Sequence, residues 1–209
     1  MKFFLSLFGC LLLAGCASAP HTPRADIVMP RSILVLPPVN DSVEVDAPSI
    51  FLSTVSKPLA ERGYYVFPVD VVARLMRDNG MHTAVQMHQV PLDLLKQHTG
   101  AEAVLYVNIR QWGQKYQVVS SQAVVKADMK LVLSSTGATI WRGTARASHD
   151  SASNHNNLAE ALIGAVVTQI SGTLYDQTYE LSREAIERSL GTLQEGPLLQ
   201  EAQYLKGNR

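Results

Sequence analysis

The chain has 209 residues, no formal net charge at pH 7 and an apolar fraction of 46%. That length suits one domain of ordinary size, and the neutral balance gives no bulk electrostatic pull toward nucleic acid. Its two cysteines, Cys10 and Cys16, both lie near the N-terminus, so the rest of the chain has no thiol for a disulfide, a metal or catalysis.

Met1 and Lys2 open a positive N-terminal region, and Phe3 to Leu13 is apolar except for Ser6. The run is shorter than the roughly 20 apolar residues of a spanning helix and fits the apolar part of a secretory signal. Leu13, Ala14 and Gly15 before Cys16 resemble a bacterial lipobox. That resemblance implies a signal peptide over residues 1–15, diacylglycerol on the Cys16 sulfur and an acyl group, palmitate for instance, on the new N-terminus. Ala17 in place of Asp resembles an outer-membrane address, which puts the expected location at the periplasmic face of that membrane. Each buried methylene of an acyl chain contributes about 0.8 kcal/mol, and stable anchoring takes more than one chain. The lipid is thus the expected membrane contact.

Residues 16–31, with Pro20, Pro23 and Pro30, read as a tether whose reach is at most about 50 Å. A domain over 32–191 is expected to follow. Ser32 to Val39 predicts a first strand; Ile33 to Leu36 is apolar without alternation, as in a strand buried on both faces, and Pro37 and Pro38 interrupt its ladder. Phe51, Leu52, Val55 and Leu59 share a face of a helix over Ser49–Arg62, with Ser49 as N-cap, a kink at Pro58 and Gly63 as a terminator at positive φ. Tyr64 to Val69 predicts a second strand, which completes a βαβ unit and favours parallel pairing. Asp70 is placed to cap a helix over Val71–Asn79, ended by Gly80, and Pro91 to Thr99 predicts another, ended by Gly100.

Period-two alternation then takes over. Ala103 to Arg110, Val125 to Leu133 and Ile140 to Ala147 predict three strands of an antiparallel meander. Ser148–Asn157 reads as a polar loop, and a helix from Leu158 is expected to carry Leu162, Val166, Ile170 and Leu174 on one face and to continue to Leu190. Residues 192–209 read as a loose or weakly helical tail. The fold class expected is α/β (α+β): one mixed sheet with helices packed on it.

Motifs for catalysis are missing from the sequence. There is no Gly-x-Ser-x-Gly elbow, no phosphate-binding loop and no paired acids. The six histidines lack metal-ligand spacing, with His82 and His88 expected in a loop; His149, Asp150 and His155 come nearest to a ligand set. No catalytic residue, cofactor or metal is assigned. Tyr106, Trp112 and Tyr116 in or beside one strand suit either packing or a partner surface, and the C-terminal helix stripe suits either core or docking.

Ile33 to Asn40, Lys57 to Val69 and Gly100 to Leu105 resemble a family of bacterial lipoproteins of unknown function typified by a neisserial genome-derived antigen candidate. The resemblance implies a fold related to the N-terminal domain of the Tol-system periplasmic protein and to the curli-secretion lipoprotein. Family members tend to be encoded beside lipoproteins of that secretion type. The expectation is a non-enzymatic accessory subunit of an envelope assembly or secretion complex, with envelope lipoproteins as partners and no nucleic acid. Two other roles stay open: a regulator of a cell-wall enzyme, which the short tether disfavours, and a hydrolase with an unrecognised site. An edge strand or the C-terminal helix could also make a homodimer.

Overall fold

The computed structural model describes residues 28–116, 121–150 and 174–207. Cys16, the signal, His155 and most of the helix expected from Leu158 lie outside them. The described strands are β1 Ser32–Val35, β2 Val39–Asn40, β3 Tyr65–Val66, β4 Ala103–Tyr116, β5 Ser121–Leu133 and β6 Thr139–Asp150. The helices are α1 Ala47–Glu61, α2 Val69–Asp78, α3 Ala84–His88, α4 Leu92–Thr99, α5 Leu174–Leu190 and α6 Pro197–Gly207. They form the mixed α/β fold expected: one sheet in the order β3-β1-β4-β5-β6, with β2 also beside β4. β1 runs parallel to β3 and β4, and β4, β5 and β6 form the antiparallel meander.

The apolar run of β1 is explained by its neighbours. Ile33 and Val35 join a core with Phe51, Val55 and Leu59 of α1 and Ile186 and Leu190 of α5. Leu34 and Leu36 point the other way, into a second core with Val72 and Met76 of α2, Met87 of α3 and Leu95 of α4. The expected strand to Val39 is split instead. β1 pairs as far as Val35 with Leu105, whereas Val39 of β2 pairs with Asn108, so the two prolines insert one extra residue beside β4. α1 starts at Ala47, ahead of the expected Ser49 cap, because Pro48 fits the first turn, where no N–H is needed. Likewise α2 starts at Val69, which leaves Asp70 in its first turn near the positive end of the helix dipole.

Inside the first core, α1 meets α5 through two hydroxyls. Thr54 Oγ1 lies 3.0 Å from the carbonyls of Ile50 and Phe51 and 2.8 Å from Ser182 Oγ. With its one proton on a carbonyl, Thr54 accepts from Ser182. Both residues are buried. Thr54→Val should therefore destabilise by about 1–3 kcal/mol, the cost of a stranded buried donor, and adding Ser182→Ala should recover part of it. Urea unfolding of the two variants checks this; a double variant weaker than the single one would contradict the pairing.

Three expectations need correction. His88 is not in a loop but ends a helix over Ala84–His88. Thr83 accepts from the Gln86 N–H while Gln86 accepts from the Thr83 N–H, a capping box that starts α3. Ser148 to Asp150 belong to β6 rather than to a polar loop, since their pairing with β5 continues to Gln122. Of the two readings of the tail, loose or weakly helical, α6 shows the helical one, and the stretch from Thr192 to Gly196 is not loose. Leu193 is fully buried, Tyr64 Oη donates to Gln194 O at 2.5 Å, and the backbone at Gly196 bonds Arg62 O at 2.7 Å. The chain stays packed there because Gly63 and Gly196 lack side chains where the two backbones cross. The tether also docks at its end: Met29 and Pro30 are buried, and the Arg31 guanidinium pairs with Glu201 of α6.

Candidate functional site

β4 and β5 carry one extra residue at Arg110: Ile109 pairs with Ala127, and Gln111 already with Lys126. A bulge of this kind reverses which alternate residues face the core. Up to Ile109 the odd residues of β4 face α1 and α5; after the bulge Trp112 does so, at 6% exposure. Tyr106 lies on the opposite face, beside the second core. Tyr116 ends β4, and its side chain is outside the description. Of the three aromatics read from sequence as suiting either packing or a partner surface, Tyr106 and Trp112 therefore lie on opposite faces of the sheet.

What the bulge does assemble is a polar sheet face. α2, α3 and α4 cover only the β1 side of it. Beyond Tyr106, cross-strand rows read Tyr106–Lys130–Arg142, Asn108–Asp128–Thr144 and Gln111–Lys126–Arg146. A groove of about 540 Å³ runs over the first two rows, bordered by Val39, His88, Leu92 and Thr139. Arg110, displaced by the bulge, donates from Nε to Asp128 Oδ2 and from Nη1 to Asp41 Oδ2, each at 2.8 Å. Thr144 Oγ1 donates to the other Asp128 oxygen at 3.0 Å. The Arg110 hydrogen bond, together with those from Thr144 and the charge of Lys126, holds the Asp128 carboxyl below its ordinary pKa. Asp128 is thus ionised and occupied at neutral pH. Lys130 Nζ sits 5.0 Å from the centre of the Tyr106 ring, a cation–π contact. Asn108 Oδ1 is buried without a partner.

His88 closes one end of the groove. Its ring meets Tyr106 edge-on at 5.3 Å and its Nε2 lies 2.9 Å from Pro37 O, which makes Nε2–H the donor. Burial, helped by Lys130, lowers its pKa from 6.5. Folded His88 therefore stays neutral where the unfolded chain binds a proton. Stability is full above about pH 6.5 and declines as the pH falls toward the folded value. His88→Gln should flatten that decline, and melting temperatures at pH 7.5 and 5.5 test it: equal losses in variant and parent would contradict the assignment.

Thr144 is committed to Asp128 and His88 to a carbonyl, so neither pairs as nucleophile and base. Among the described residues no group of His, Cys, Asp and Glu could hold a metal ion, and no helix is long and apolar enough to cross a membrane. The sequence signal for this face was the alternation of Lys126, Asp128 and Lys130 against that of Arg142, Thr144 and Arg146. The part played by Arg110 depended on a bulge that alternation does not announce.

Residues 26–203 match the family described as "Putative lipoprotein GNA1162-like". The chain is 36% identical over 207 residues to the Neisseria meningitidis serogroup B protein named "Putative lipoprotein NMB1124/NMB1162", covering 97% of this chain and 96% of that one. The crystal structure of lipoprotein GNA1162 from Neisseria meningitidis superposes with a TM-score of 0.56 at 39% identity, over 69% of this chain and all of that one. A weaker likeness links it to the LpoB C-terminal domain from Escherichia coli, at 20% identity and a TM-score of 0.40, over 60% of this chain and 88% of that domain. The chain belongs to the GNA1162-like lipoprotein family.

Proposed function

We propose that this lipoprotein is a non-enzymatic accessory subunit of a cell-envelope assembly or secretion complex. In this reading it is held by lipid on Cys16 at the periplasmic face of the outer membrane. The observation that carries it is the open polar sheet face, a broad surface of fixed cross-strand rows in which no nucleophile meets a base. Ala17 after the lipobox cysteine supports the outer-membrane address. The docked tether end, with Met29 and Pro30 buried, keeps the domain close to its anchor. Chemical crosslinking in intact envelopes, followed by capture and identification of the partners, tests the proposal. Recurrent envelope proteins that vanish from the Cys16→Ser strain are the expected result. Turnover of ester, peptide or glycan substrates by the purified protein, with no such partners, would overturn it.

A further inference from the structure

β6 is an outer strand of the described sheet, since it pairs with β5 alone. Such a strand offers unpaired backbone groups to a further strand. One of its carbonyls, that of Arg146, already receives a donor from off the sheet, Arg188 Nη1 at 3.2 Å. Its polar face carries Arg142 and Arg146 with Thr144 between them, all three exposed. Charge on this face is unevenly matched. Arg110 takes up two carboxylates, Asp41 and Asp128, and Lys130 lies on Tyr106. Among the described residues Arg142 and Arg146 make no ion pair.

A second copy of the chain is a poor fit for this edge. Antiparallel self-pairing centred on Thr144 sets Arg142 against Arg146 of the other copy twice, and the equally long register centred on Ala145 sets Arg142 against Ser148 and Arg146 against Thr144, so neither gives the arginines a carboxylate. Like charges directly opposite are destabilising. An extended segment with carboxylates four residues apart reverses the sign of both pairs, because residues at i, i+2 and i+4 share one face of a strand. Resting on the partner-binding reading above, we infer that β6 accepts an extended acidic segment of another protein as an added antiparallel strand. One of its carboxylates would face Arg142 and another Arg146, with backbone hydrogen bonds supplying affinity and the arginines register.

The test uses the mature lipidated protein in phosphatidylcholine nanodiscs and a fluorescent peptide, Thr-Glu-Val-Thr-Val-Glu-Thr, read by anisotropy. Binding that weakens with salt is expected. It should drop at least about tenfold when the two Glu become Lys, when the central Thr becomes Pro, or when the protein carries Arg142→Glu with Arg146→Glu. That double variant should in turn gain affinity for the Lys peptide, which also shows that it folds. The inference is overturned if the Pro peptide binds as well as its parent, which marks mere attraction of anions. It also fails if the two charge forms bind alike, or if sedimentation shows the protein pairing with itself through β6 in a way that Arg142→Glu with Arg146→Glu leaves unchanged. Loss of peptide binding while envelope partners are still captured rejects this inference alone and leaves the subunit reading standing.

Discussion

Gly63→Val is expected to lower the stability of the domain by at least about 2 kcal/mol. Gly63 sits between α1 and β3 at φ +87°. A β-branched residue is a poor occupant of that region, and forcing it there costs on the order of 1–3 kcal/mol. The second term is contact. A Cβ at Gly63 would come within 2.4 Å of Leu199 Cβ, 2.5 Å of its backbone nitrogen and 2.9 Å of Gly196 O. These are mostly backbone atoms of the segment entering α6, and they can yield only if that segment lifts away. Lifting it would expose Leu193 and break the bonds from Gly196 N to Arg62 O and from Tyr64 to Gln194 O. For a chain of this size the loss corresponds to roughly 4–8 °C in melting temperature. Gly80→Val is the control, since Gly80 has φ +82° with nothing within 4 Å of a Cβ. It carries the conformational cost alone. Equal losses for the two variants would contradict the close crossing of Gly63 and Gly196.

Cys16→Ser should abolish lipid anchoring outright. A hydroxyl does not replace the thiol in accepting diacylglycerol, and the remaining cysteine, Cys10, lies within the expected signal. Unprocessed precursor should accumulate, and labelling with a fatty-acid analogue should fall to background. Label as strong as in the parent would disprove the lipobox assignment. Anchoring takes more than one acyl chain, so any processed but unlabelled protein should appear in the soluble periplasmic fraction.

Much of this fold was legible in the residues. Ile33 to Leu36 announced a strand covered on both sides, and helices on both faces of β1 supply the cover. Gly63 and Gly100 were read as helix terminators and take positive φ. The meander followed from alternation. Other features depended on contacts that no local pattern encodes. Trp112 is core rather than surface because one residue inserted at Arg110 turns the strand over. The chain past Gly191 reads as loose or weakly helical from its sequence, with Gly196 and Pro197 in its midst; what holds its start is a backbone crossing made between two glycines far apart in sequence. α3 is a different case. Thr83 and Gln86 stood at capping-box spacing in plain view, and the helix is so short that its apolar pattern gave no second cue.

The site was legible in fragments. Lys126, Asp128, Lys130, Arg142, Thr144 and Arg146 alternated as a wetter face should. Their grouping into rows, and the pairing of Arg110 with Asp41 and Asp128, needed the register of β4 on β5 and of β5 on β6. That grouping is what leaves positive charge on the β6 side.

Site-resolved crosslinking in intact envelopes addresses the central claim most directly. A photoreactive residue replaces Thr144, on the open face, and in a second strain Arg74, on the exposed side of α2. The account predicts a discrete, reproducible adduct with an envelope protein from position 144 and none of comparable yield from position 74. No adduct from position 144, or the same adducts from both positions, would contradict the claim that this lipoprotein works by holding a partner on its open sheet face.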